Sequence, residues 1–131
     1  MRQKQLISVI FYTAAAYDAV LGLAFLFAAS AVFAWSGVTP PNHFGYVQFP
    51  GALLIIFALM FIAIARQPIA NRRLMPYGVL LKVSYCGVVF YHWLASGIPG
   101  MWKPFAIIDL LFIVAFVWAY RATSSGELTT E

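Results

Sequence analysis

Charge is the scarcest property of this sequence. Only 9% of its 131 residues are Asp, Glu, Lys or Arg, where a soluble domain carries roughly a quarter. With 63% hydrophobic residues the chain cannot keep an ordinary water-facing surface, and the solvent it implies is lipid. A single cysteine, Cys86, excludes an intramolecular disulfide and any CxxC redox or zinc pattern. Histidine is limited to His43 and His92. No carboxylate or cysteine lies near enough to complete four ligands, so no metal site is expected, and one histidine within the apolar runs is too few for bis-histidine haem ligation. No Ser-His-Asp set, phosphate-cradling glycine loop or paired catalytic acid is visible, which points away from an enzyme. The net charge of +4 does not point to nucleic acid either, because the basic residues sit in short clusters beside apolar runs and act on orientation in a bilayer.

What is present is apolar length. Four runs, about 6–35, 46–65, 74–96 and 102–120, are long enough to span, which predicts an all-α integral membrane four-helix bundle over residues 1–121 and a polar, disordered tail at 122–131. The first run exceeds the roughly 7–15 residues of a signal-peptide core and contains Asp18, so it reads as a span that tilts or projects beyond the membrane. Pro40, Pro41, Asn42 and Gly45 break the chain after it, and Gly97, Pro99 and Gly100 break it again before the fourth run. Between them, Arg66 to Arg73 form a short basic turn that makes the second and third spans antiparallel neighbours. Arg2, Lys4, Arg66, Arg72, Arg73 and Arg121 fall on one side and Lys103 on the other. The positive-inside rule then places both termini in the cytoplasm, with Trp35, Tyr46, Trp93 and Trp102 as an outer aromatic belt.

Three charges lie inside the spans: Asp18, Lys82 and Asp109. An unpaired charge at the bilayer centre costs roughly 2.5–3.5 kcal/mol on insertion scales, so each needs a partner. At about 1.5 Å per residue, Asp18 stands about 20 Å above Gln5, Asp109 about 18 Å above Arg121 and Lys82 about 12 Å above Leu74, and a lysine stem of about 6 Å lifts its ammonium to the carboxylates. Depth permits one cluster. The short third loop makes Lys82 and Asp109 the first pair to expect, while Ala14, Ala15 and Gly22 share the Asp18 face and let a neighbouring helix come close. The cluster sums to minus one, which calls for a protonated acid, a cationic ligand or water. It is either a packing device or a ligand site.

Candidate extensions of the cluster are Tyr17 on the first helix and Tyr85 and Cys86 one turn from Lys82. Phe105, Phe112 and Phe116 share the Asp109 face and are candidates for an apolar ligand wall. The second helix has no embedded charge, so Phe57, Met60 and Phe61 are expected to face lipid or a partner and not the cluster.

Leu80-Leu81-Lys82 in the third helix and Ile107-Ile108-Asp109-Leu110 in the fourth, set in a plan of four short spans, resemble the DoxX-like small bacterial membrane proteins over about Tyr17 to Tyr120. The resemblance implies a four-helix bundle in a bacterial cytoplasmic (inner) membrane and, for the founding members, association with a quinone-linked oxidoreductase. It carries over no catalytic residue, and the chain has no cysteine pair for thiol redox chemistry. Three functions are open at this point. The first is a non-catalytic accessory or scaffold subunit that associates with other membrane subunits or with itself; the second is a quinone- or lipid-binding subunit of a membrane oxidoreductase. The third is a proton or small-solute carrier working as an oligomer. The expected surroundings are membrane lipid, with no nucleic-acid partner and no cofactor unless quinone or lipid is bound.

Overall fold

The computed structural model describes residues 2–124, and these are all helical or loop. Helix α1 spans Arg2–Phe27, α2 Ala29–Ser36, α3 Gly45–Arg66, α4 Met75–Ala95 and α5 Lys103–Ala122, with single 3-10 turns at Arg72–Leu74 and Gly100–Trp102 leading into α4 and α5. Four of these segments, those built on α1, α3, α4 and α5, are long and apolar enough to cross a membrane. Pro76 and Pro104 open α4 and α5 at positions where a missing N–H removes nothing from the helix.

The first apolar run is two helices, not one. The backbone leaves helical geometry at Ala28 (φ −134°, ψ 28°), with no proline to force it. The cause is tertiary: the bend keeps Phe33 over Phe25 and Trp102, at ring-centroid distances of 6.5 and 6.2 Å, while Phe25 stacks on Trp102 at 5.9 Å. Gly37 then ends α2 in the left-handed conformation (φ 69°), returning hydrogen bonds to Ala34 and Phe33 carbonyls in a Schellman-like stop.

Packing is by pairs: α1 lies chiefly against α3, and α4 against α5. The α1–α3 crossing is set by two glycines. A Cβ on Gly22 would stand 2.6 Å from the Gly51 carbonyl oxygen, and one on Gly51 would stand 3.0 Å from that of Gly22, so only hydrogen fits on either side. Ser8 adds a bond of 2.7 Å to the Ala65 carbonyl nearer the other end. This crossing draws α3 to α1; α3 and α4, expected as antiparallel neighbours, meet near their basic turn, where Phe61 lies against Gly78, and make few contacts beyond it.

One end of the molecule is a dry aromatic core. Phe11 stacks on Phe116 at 4.6 Å, and Phe61 meets both, at 5.9 and 5.2 Å. Gly78 makes room for this ring, since a Cβ there would stand 2.7 Å from Phe61. Phe61 is therefore fully buried, and Phe57 and Met60 pack half-buried against the same core. For Phe61 the expectation of a face toward lipid or a partner and away from the cluster is corrected, since it is buried and its ring centroid lies 5.9 Å from Lys82 Nζ, while Phe57 and Met60 keep partial exposure; the most open face of α3 carries Ile56 and Leu59. A wholly apolar helix gives no amphipathic signal from which its inner face can be read.

The loop between α3 and α4 is tied to the end of α5. Asn71 donates to the Ala63 carbonyl (2.8 Å), and Arg72 Nε donates to the Tyr120 carbonyl and to Thr123 Oγ1, both at 3.1 Å, with its guanidinium 3.7 Å over the Tyr120 ring. Ala122 closes α5 and Thr123 is buried, so these residues belong to the folded unit and not to the tail assigned to 122–131; residues 125–131 lie outside the described residues.

Candidate functional site

The three intramembrane charges meet. Lys82 Nζ stands 2.7 Å from Asp18 Oδ1 and 3.0 Å from Asp109 Oδ1. Only the contact with Asp18 has hydrogen-bond geometry, so the stronger partner comes from α1 and not from α5, across the helix pairs. Lys82 and Asp18 are closed off, at 1% and 0% side-chain exposure, and Asp109 keeps 9%. Beneath the ammonium lie three rings, Phe112, Tyr17 and Phe61, with centroids at 5.2, 5.3 and 5.9 Å from Nζ. Their faces offer negative potential to the cation. The cluster thus rests on the aromatic core.

On its other side is a cavity of about 460 Å³. Asp18, Lys82 and Asp109 form part of its lining; Tyr17, Tyr85 and Phe105 stand beside them; Phe25 and Trp102 lie toward the Ala28 bend; and Pro50, Gly51 and Leu54 come from α3. Leu53 of α3 and Ser84 and Val88 of α4 line it too and are exposed on the outer surface, so the cavity reaches that surface between α3 and α4, where the two helices barely touch. Apart from the charges and the tyrosine and serine hydroxyls, this lining is hydrocarbon and aromatic carbon.

Hydrogen bonding leaves specific atoms free. Asp18 Oδ2 and the Tyr17 hydroxyl are buried and make no hydrogen bond among the described residues, and Asp109 Oδ1 has only its ionic contact with Lys82 Nζ at 3.0 Å. Buried polar atoms in this state are uncommon and mark a strained or a ligand-facing position. Tyr85 is engaged, its hydroxyl donating to the Trp102 carbonyl at 3.0 Å. Cys86 faces away from the cavity, its thiol donating to the Ala106 carbonyl at 3.4 Å, and so extends the α4–α5 contact rather than the site.

The expected phenylalanine wall holds only in part. Phe105 lines the cavity, Phe112 lies under the ammonium, and Phe116 is sealed in the core. Eleven residues of helix separate Phe105 from Phe116, roughly 16 Å along the axis, so a shared helical face does not mean a shared chamber. Neither histidine joins the site. His43 Nδ1 accepts the Gly45 N–H at 2.9 Å, His92 is exposed, and no group of three or more metal-ligating side chains occurs among the described residues. The contribution of α3 to the cavity was missed from the sequence; the signal that could have found it is Gly51, a lone glycine inside an apolar span.

No protein family, characterised protein or solved structure matches this chain. The site must be read from its own chemistry. A chamber with apolar walls, a charged floor and a side opening suits the retention of a molecule that is itself apolar with a polar head.

Proposed function

We propose that this protein is a non-catalytic accessory subunit of a membrane complex, and that it holds a lipophilic molecule with its head on the Asp18–Lys82–Asp109 floor and its tail toward the lipid between α3 and α4. Membranes supply such molecules as lipids and quinones. The observation that carries this reading is the cavity of about 460 Å³ whose only charged lining is the cluster itself. Four antiparallel spans with both termini cytoplasmic are the arrangement proposed, supported by the basic residues Arg66, Arg72, Arg73 and Arg121 at one end, where Arg72 meets Tyr120. The resemblance to DoxX-like proteins agrees with a bacterial inner-membrane setting.

The test is intact-mass measurement of the particle released by mild detergent, because one spectrum reports both partner subunits and retained lipophiles. A particle carrying a second polypeptide or further copies of this chain, together with a lipophilic adduct, is the expected result. A bare monomer with no adduct under every mild condition refutes it.

A further inference from the structure

The charges of the floor do not balance. Two carboxylates face one ammonium, and Lys82 spends its contacts on Asp18 Oδ1 and Asp109 Oδ1. What the ammonium leaves over is acidic: Asp18 Oδ2 is buried without a hydrogen bond, Asp109 Oδ1 has only its ionic contact at 3.0 Å, and Asp109 is the one cluster carboxylate whose side chain keeps any exposure, at 9%. The ammonium is closed off at 1%. An occupant therefore meets carboxylate before it meets lysine. The same cavity is lined by the aromatic side chains Tyr17, Phe25, Trp102 and Phe105, and aromatic faces attract a cation with its hydration removed.

We infer that the head held on this floor is positively charged: the cavity takes a lipophilic cation, a protonated amine or quaternary centre on an apolar body, which neutralises the surplus carboxylate within an aromatic-lined chamber. This rests on the reading of the cavity as a lipophile site and narrows the chemistry of what enters. A neutral quinone neutralises nothing, so that the surplus carboxylate must then take up a proton, and a lipophilic anion adds to it in a medium where like charges interact strongly.

Equilibrium dialysis of the purified full-length protein in neutral detergent separates the two levels. The probes are tetraphenylphosphonium, its near-isosteric anion tetraphenylborate, and decylubiquinone as a neutral quinone. The cation should bind saturably and at least about tenfold more tightly than the anion, a difference that one uncompensated buried charge readily supplies. Asp109→Asn keeps the Asp18–Lys82 pair and should lose most of that preference while unfolding close to the wild-type temperature. If that variant does not fold, Asp18→Asn leaves the Lys82–Asp109 pair and is expected to lose the preference likewise. Equal binding of the two ions, tighter binding of the anion or the quinone, or a neutralised variant that keeps the preference overturns the cationic assignment and leaves the lipophile site standing. Saturable binding of none of the three removes both.

Discussion

Replacing Lys82 with methionine should be the costliest single change in the charge cluster, and the ranking of the three members follows from their contacts. Lys82→Met leaves two enclosed carboxylates facing each other with no cation, and stranding a buried charge costs about 3–5 kcal/mol even before their mutual repulsion. Asp18→Asn loses the one charge-assisted hydrogen bond, 2.7 Å long, a loss of about 1.5–3 kcal/mol, but leaves Lys82 paired with Asp109. Asp109→Asn loses a contact at 3.0 Å without hydrogen-bond geometry and leaves the better pair, so about 1 kcal/mol or less is expected. The combinations are more telling. Were Lys82 and Asp109 the whole unit, removing both would be nearly neutral; with Asp18 bonded to the same nitrogen, Lys82→Met with Asp109→Asn stays strongly destabilised, and only the triple variant with Asp18→Asn recovers. Unfolding in mixed micelles, followed by far-ultraviolet circular dichroism as denaturing detergent is raised, reads each variant. If Lys82→Met costs no more than Asp109→Asn, or the triple variant is no better than Lys82→Met alone, the three residues do not act as one cluster.

Three further outcomes test the surrounding fold. Gly22→Ala should destabilise by about 1–3 kcal/mol through overpacking against the Gly51 carbonyl, whereas Gly87→Ala, where an added Cβ meets nothing within 4 Å, should be neutral or stabilising by up to about 1 kcal/mol; equal effects in the same unfolding assay refute the crossing. Phe61→Ala should cost about 3–5 kcal/mol and Leu59→Ala, 63% exposed, far less; the reverse order would return the Phe61 face to lipid or a partner. Arg72→Lys removes the planar Nε donor from the Tyr120 carbonyl and Thr123, so amide exchange at the end of α5 should quicken while that of α1 is unchanged; unaltered exchange there refutes the tie.

Depth along a helix is legible in a sequence, because it is a count of residues from a boundary, and that count brought Asp18, Lys82 and Asp109 to one level. Azimuth is a different matter. In a water-soluble helix the polar face tells which side is out, but lipid and protein core are equally apolar, so nothing in Phe57, Met60 and Phe61 distinguished inward from outward. Lateral packing was legible only in part: the short loop before α5 gave α4 and α5 as neighbours, which they are, but the basic turn keeps helix ends together and says nothing about how closely α3 and α4 pack beyond it, where their contacts are few. The bend at Ala28 has no local mark either, since its cause is the distant Trp102 meeting Phe25 and Phe33. The cavity is the product of these three hidden features together, and so it emerged only with the structure.

The central claim, that a lipophilic molecule occupies the chamber above the charged floor, is tested most directly by filling it. Leu54 of α3 lines the cavity and is half-buried, and Leu54→Trp adds aromatic volume there without touching any charge. Protein purified in mild detergent should release a lipophile into organic solvent, and the Leu54→Trp protein, folded as judged by its unfolding curve, should release little or none. Equal release from both, or none from either, would contradict the account.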